Sequence, residues 1–485
     1  GEYERSSTTV VNAYLAPRVV GYLRNLESEL ATKGLKHRLF LLQSNGGAVS
    51  VEQIAHQPVN LVLSGPAAGV GSMRHFARTA EHDNLISMEI GGTSCDVMLM
   101  AEGRIAITDE LTVADYDLVI PSVDIHTVGA GGGTIAGVDR AGMLFAGPAG
   151  AGARPGPACY GFGGTEPTVT DAHLVLGRLK PGPYAGGSVS LDLERATAAI
   201  RDRVATPLGL SVKEAAAGIL RLVEQNLLHA VERISIQRGQ NPRRFLLVAC
   251  GGAGPMHGAA VARKLGCRAV YVPRQAGAFC ALGMLHSDVR QDFMDVHFQD
   301  LDTLTDAPIE GRFAALETEA RTLLTREGFS EADTVTEREL DLRYDGQQWD
   351  LRIPVDAQDD ATAIRAAFET EYDRRFGHTV DGSRILITSL RVVGKGLLPP
   401  MEQAPPPRAS GAAEPVEHRL VYIDDRYQEM ECAVYHGPDL YPGHTLQGPL
   451  LIEEITTTLF VGPTDRVEVD AAGNYLIQLD HQEAA

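Results

Sequence analysis

The chain has 485 residues, 44% of them hydrophobic and 22% charged, an ordinary balance for a folded protein and too long for one compact domain, so two to four domains are expected. Forty-three Lys plus Arg against 63 Asp plus Glu leave a net charge of −20, which disfavours nucleic acid or an anionic membrane surface as the main partner. The six cysteines form no CxxC pair, which excludes ribbon-type zinc sites and thioredoxin-type chemistry, and their sparseness suits a reducing cytoplasm.

No run of 18 apolar residues and no basic-then-apolar leader occurs, so neither a membrane helix nor a signal segment is expected. Residues 8–32 carry a helical apolar pattern, with Ser7 or Thr8 placed to cap its start and Gly34 to end it. Leu39–Leu42 then enters the turn Gln43-Ser44-Asn45-Gly46-Gly47, and Asn60–Leu63 enters Ser64-Gly65-Pro66-Ala67-Ala68-Gly69. From Leu85 the pattern becomes a meander. Leu85–Ile90 reads as a strand, Gly91-Gly92-Thr93-Ser94 as its turn, Cys95–Ala101 as the return and Arg104–Thr108 as a third strand.

The clearest helix spans 211–238, opened by a Ser211/Glu214 capping box and closed by Gly239. A strand–helix–strand unit follows: Phe245–Ala249, the glycine turn Cys250–Pro255, a helix over His257–Leu265 ended by Gly266, and Ala269–Val272. Its glycines stand at the carboxyl end of the strand, where open α/β sheets bind ligands. Helices are then expected over 307–327 and 360–376, and strands over 335–345, 348–355 and 385–394. The proline-rich stretch 399–416 reads as a stiff linker and 417–481 as short strands and turns. The expected domains are therefore 1–298, 299–398 and 417–485, with 399–416 between the last two.

Two glycine turns carry the chemistry. Gly91-Gly92-Thr93-Ser94 links antiparallel strands, and Gly251-Gly252-Ala253-Gly254 precedes a helix. Phosphate needs close backbone approach and several inward N–H groups, and the second turn adds the positive end of a helix dipole. Glu89 and Asp96 flank the first turn and suit Mg²⁺, which takes few carboxylates and keeps its waters. There is no GxxxxGK[ST], no GxGxxG after a strand and no GxSxG, so P-loop, Rossmann and serine-hydrolase readings drop out.

Met88-Glu89-Ile90-Gly91-Gly92-Thr93-Ser94-Cys95-Asp96-Val97 resembles a phosphate motif of the hydantoinase A/5-oxoprolinase family. The likeness continues through Ser122–Gly133, Arg154–Gly161, Gly163–Asp171 and Gly251–His257. It covers essentially the whole chain. The resemblance implies an α/β fold with an actin/sugar-kinase-like (RNase H-like) ATPase core, followed by a small α+β domain and a C-terminal β-rich unit. It implies ATP-driven opening of a small cyclic amide such as a hydantoin or 5-oxoproline, with a hydantoinase B-type subunit as partner. By it the 89–96 turn faces the ATP phosphates and the 251–255 turn the adenosine, with Asp96, Glu89 and His257 as the reacting-site side chains. Close relatives in ATP-dependent ketone carboxylases give a second enzymatic reading, and a non-catalytic assembly module is a third.

Two departures stand out. The family's first phosphate hairpin, of the form DxGGTFTD, is not found, so the chain is expected to be a fragment or to take its N-terminal ATPase segment from a separate polypeptide. Glu89 stands where the family usually has Asp. Asp124 and His126 share one strand face and Asp171 and His173 repeat their spacing, with Cys159 in a loop between. Together they suit a site for Zn²⁺ or Mn²⁺. The plainer alternative is that Asp124 and Asp171 tie loops and Cys159 is a small buried residue.

Overall fold

The structure, a computed structural model, describes residues 2–304, 306–399, 401, 404–423 and 428–480. Pro400 and residues 402–403 of the expected linker lie outside the described residues, and the described part of 399–416 has no helix or strand. The chain divides into two compact units. One comprises Gly1–Gly71, Ile107–Val123 and Gly283–Met401, the other Ser72–Ala106, Asp124–Leu282 and Glu402–Ala485. This division differs from the three consecutive domains read from the sequence, because each unit gathers three separate stretches of chain. No helix of the described residues is long and apolar enough to cross a membrane.

The first unit is built on a six-stranded sheet ordered Phe40–Leu42, Ala48–Ser50, Val289–Asp300, Ile385–Gly396, Thr334–Tyr344, Leu351–Val355. Helices Asp306–Glu327 and Ala361–Phe376 supply Phe313, Ala320, Phe368 and Tyr372 to a core shared with Leu340, Leu390 and Ile353 of the strands. Asp360 caps the second helix by accepting from the Ala363 amide, and Gly377 ends it at φ +75. Strand alternation sends a different set of side chains the other way. Arg290 and Asp292 pair at 2.7 Å, and Arg391 and Asp341 at 2.6 Å. Burial works against the Asp292 carboxylate, but Arg290 and hydrogen bonds from Arg290 and Asn45 outweigh it and hold its pKa down.

The helix expected from residue 8 begins at Glu2. Thr8 does not cap it. Its hydroxyl donates 2.7 Å back to the Glu4 carbonyl, the use a mid-helix Thr makes of its side chain.

The second unit centres on a nine-stranded sheet ordered Thr445–Gln447, Arg466–Val469, Tyr475–Gln478, Ala269–Val272, Leu246–Cys250, Leu85–Ile90, Cys95–Ala101, Arg104–Ile105, with Ile125–Val128 also paired to Cys95–Ala101. Leu246–Cys250 is buried at every position and pairs in parallel with both Leu85–Ile90 and Ala269–Val272, as expected for strands covered on both faces. The helix Val212–Ile234 carries the expected capping box, with Ser211 and Glu214 bonded reciprocally. C-terminal strands Arg466–Val469 and Tyr475–Gln478 extend this same sheet.

Phe368 is fully buried, with its ring 5.0 Å from that of Tyr344. Phe368→Ala is expected to destabilise the first unit by about 3–5 kcal/mol. Hydrogen exchange should show this as lost protection in Thr334–Tyr344 and Ile385–Gly396, with Leu246–Cys250 unchanged. Equal protection in variant and wild type would contradict the assignment of this core.

Candidate functional site

The site follows from one pairing register. In the parallel pair, Cys250 stands opposite Glu89, so the two strands end together and their glycine turns emerge side by side. Contact between the turns is direct: the Ala253 amide donates 3.1 Å to the Ile90 carbonyl. Gly251 sits at φ +79, and a Cβ there would stand 2.2 Å from that same carbonyl, so only glycine fits.

The first turn is closed by the Gly91 amide donating 3.0 Å to the Ser94 carbonyl. Gly92 and Thr93 are exposed and Ser94 half-buried. Among the described residues the amides of Gly92, Thr93 and Ser94 have no protein acceptor, which leaves three adjacent donors for an anion. The second turn opens the helix Gly254–Leu265, whose start has Ala253 at the cap position and no side-chain cap. Its amides and dipole favour negative charge.

Glu89 and Asp96 face each other across the antiparallel register of Leu85–Ile90 with Cys95–Ala101. Burial raises both pKa values above the usual carboxylate range, and for Glu89 the neighbouring Asp96 adds to the rise. Neutral groups donate to both carboxylates. The Cys280 thiol lies 2.9 Å from Glu89 Oε2, and the Thr127 hydroxyl donates 2.5 Å to Asp96 Oδ1. Two partly buried carboxylates without a cationic partner among the described residues suit a hard divalent cation.

Sequence reasoning missed three contributors. The segment Gly129–Gly133 runs against the first turn, the Gly132 and Gly133 amides donating 2.9 and 2.7 Å to the Gly91 and Gly92 carbonyls. A Cβ on Gly131 would stand 2.7 Å from the Thr93 backbone. Thr170 then holds this segment, its hydroxyl donating 2.8 Å to the Gly132 carbonyl. The repeated glycines of 129–133 were the available signal. Thr127 falls in the same stretch of likeness, Ser122–Gly133, whereas Cys280 had no signal. The third contributor is the C-terminal loop, where the Thr457 hydroxyl donates 3.0 Å to the Gly252 carbonyl, and no local pattern announces it.

His257, expected at the reacting centre, is 1% exposed. Its Nε2 lies 3.1 Å from His173 Nε2, and its Nδ1 lies 3.5 Å from Glu224 Oε1. Burial, with His257 and Arg178, keeps His173 well below the ordinary histidine pKa and therefore neutral. Burial opposes the Glu224 charge, but the facing His257 together with Arg178 and Lys264 holds its pKa down. His257 thus anchors the first turn of its helix from inside the core.

The grouping of Asp124, His126 and Cys159 is not assembled as a metal site, and no three His, Cys, Asp or Glu side chains among the described residues converge to hold a metal. Asp124 is engaged by Arg238, 2.9 Å from its Nη2. Burial, with Arg233 next in weight, lowers the His126 pKa. Cys159 is fully buried in a small apolar cluster with Leu174 and Met256. Asp171 accepts from the amides of Ala158, Cys159 and Thr168 at 3.2, 2.7 and 2.8 Å and completes a capping box with Thr168. These carboxylates tie loops, which was the plainer of the two readings.

Residues 5–293 match the sequence profile described as Hydantoinase/oxoprolinase, and residues 300–481 that of the Hydantoinase/oxoprolinase C-terminal domain. The chain is 36% identical to the caprolactamase subunit alpha of Pseudomonas jessenii, over 99% of this chain and 70% of that protein. It is 33% identical to the acetophenone carboxylase gamma subunit of Aromatoleum aromaticum, over 99% and 67% respectively. The crystal structure of the ATP-dependent caprolactamase from Pseudomonas jessenii superposes with a TM-score of 0.88, covering 99% of this chain and 70% of that one. The match to the first profile alone spans more than half the chain, and with these relatives it settles that the chain belongs to the hydantoinase/oxoprolinase family.

Proposed function

We propose that this chain is the ATP-using subunit of a cyclic-amide hydrolase, with an actin/sugar-kinase-like core formed by the second unit. The observation that carries the reading is the pair of glycine turns at the ends of adjacent parallel strands, with Glu89 opposite Asp96 beside the first. The 36% identity to a caprolactamase subunit supports it. In this reading Gly92, Thr93 and Ser94 present amides to the phosphates, and Gly251, Gly252, Ala253 and Gly254 accommodate the adenosine side. Glu89 and Asp96 hold Mg²⁺ through its waters. Mg-ATP, when bound, supplies the phosphoryl group that converts a poorly reactive amide oxygen into a leaving group. The chain's own part is positioning and charge neutralisation. Gly129–Gly133 fixes the first turn from behind, and Thr127 aims Asp96. A partner subunit of the hydantoinase B type completes the enzyme, a reading supported by relatives named as alpha and gamma subunits. An alternative, activation of a ketone for carboxylation, draws on the 33% identity to an acetophenone carboxylase subunit. Bicarbonate-dependent ATP turnover with a ketone, and none with an amide, would select it.

Asp96→Ala is expected to abolish amide-dependent phosphate release by the assembled enzyme while leaving circular dichroism and melting behaviour near wild type. Unchanged turnover would remove Asp96 from the site. Gly131→Ala pushes a methyl into the Thr93 backbone and should lower turnover about tenfold or more. Assay beside Gly21→Ala, whose new Cβ meets nothing within 4 Å and whose backbone is not left-handed, separates this from a general glycine effect.

The raised carboxylates also fix a pH dependence. A carboxylate whose folded pKa lies above its unfolded value stabilises the fold most at low pH, and that contribution is lost as pH rises through the folded value. Mg²⁺ bound to the ionised pair reverses the loss. Added Mg²⁺ should therefore raise the melting temperature at about pH 7.5 and have little effect near about pH 4. A Mg²⁺ shift of the same size at both values would show that these carboxylates do not hold it.

A further inference from the structure

The loop that carries Arg154–Gly161 is joined by backbone contacts to the first glycine turn. The Gly133 amide donates 2.7 Å to the Gly92 carbonyl, and the Ala151 amide donates 2.8 Å to the Gly133 carbonyl. A Cβ on Gly150 would stand 3.9 Å from Thr93 Cγ2. The loop therefore meets the first turn at its exposed tip, Gly92 and Thr93. Both of its ends are held, Ala151 by Gly133, and Ala158 and Cys159 by the Asp171 carboxylate. The Gly156 amide closes it by donating 3.2 Å to the Ala151 carbonyl.

Arg154 stands exposed on this loop. Among the described residues no carboxylate pairs with it. Its guanidinium lies over the ring of Phe162, 5.3 Å from the centroid, and Phe162 is itself 46% exposed. A guanidinium stacked on a ring is held in orientation while its edge N–H groups stay free for an acceptor. Negative charge gathers beside it. Glu89 and Asp96 flank the turn without a cationic partner among the described residues, and a triphosphate adds more charge than Mg²⁺ cancels. Arginine and phosphate form paired, charge-assisted hydrogen bonds, so a guanidinium without an acid partner on an anchored loop fits the tip of such a turn.

We propose that Arg154 is a catalytic residue that binds the terminal phosphate of ATP at the tip of the first turn. The proposal rests on the ATP-using reading above and adds to it the cation that the two glycine turns lack. As the amide oxygen forms its bond to the terminal phosphorus, the bond to the β–γ bridging oxygen breaks and its electron pair leaves with ADP. Arg154 exchanges no proton in this step and offsets the charge on the three phosphoryl oxygens.

The test is calorimetric titration of the full chain with Mg-ATP and with Mg-ADP, which lacks the terminal phosphate. Arg154→Ala is expected to weaken Mg-ATP about tenfold and to leave Mg-ADP unchanged, so the preference between the two nucleotides falls by the same factor. Arg154→Lys should recover part of the ATP affinity, because it keeps the charge without the paired geometry. Arg140→Ala removes a positive charge from the exposed turn between Thr134–Val138 and Leu144–Gly150 and should change neither affinity. Equal weakening of both nucleotides in Arg154→Ala would give Arg154 a structural role, unchanged ATP affinity would leave it a solvated surface residue, and an equal loss in Arg140→Ala would reduce the effect to net charge. Each of these overturns the proposal, while ATP binding by the wild-type chain leaves the functional reading in place. A wild-type chain that binds neither nucleotide removes that reading and the proposal with it.

Discussion

The parallel pairing of Leu246–Cys250 with Leu85–Ile90 is the constraint on which the candidate site depends. A strand side chain reverses face with every residue of slip, so the register that places Cys250 opposite Glu89 also decides which backbone atoms emerge at the sheet's end. Both strands are buried on both faces, and nothing in them can slide without exposing Leu, Ile or Val. The site inherits this rigidity. Its two glycine turns stand at the ends of two such strands, held at hydrogen-bond distance from each other through Ile90 and Ala253.

Around this pair the chain adds supports from distant stretches. Gly129–Gly133 and Thr170 brace the first turn, Thr457 touches the second, and Cys280 reaches Glu89. The apolar setting that raises the Glu89 and Asp96 pKa values is the work of the same packing, so ionising these groups costs fold stability. This is a common arrangement where a protein holds charge ready for a ligand.

What the sequence disclosed divides along local and long-range lines. The capping box at Ser211 and Glu214, the αL glycine Gly266 and the two turns at strand ends are properties of a few consecutive residues, and they stand where the pattern put them, whereas Gly239 ends the 3-10 turn Ile236–Arg238 after a helix that stops at Ile234. Thr8 misled because its cap-forming chemistry serves equally well inside a helix. The spacing that joined Asp124, His126, Asp171 and His173 was real, but spacing does not reveal partners. Arg238 claims Asp124, three amides claim Asp171, and His173 turns to His257. The two-unit division was invisible for a similar reason: composition changes along the chain, while compactness is decided by which separated stretches pair as strands.

The contact between His173 and His257 has a consequence in proton counting. Two ring nitrogens 3.1 Å apart need one hydrogen between them: with none they present lone pair to lone pair, and with two they present N–H to N–H. The pair therefore tolerates a single occupancy, and the depressed pKa of His173 keeps it there through neutral pH. Below the ordinary histidine pKa of about 6.5, the unfolded chain takes up a proton that the folded core refuses, and stability drains away through this contact. His257 belongs to the first turn of the helix that the second glycine turn opens. Acid would accordingly loosen the second glycine turn from its interior face, along a path no solvent-facing residue reveals.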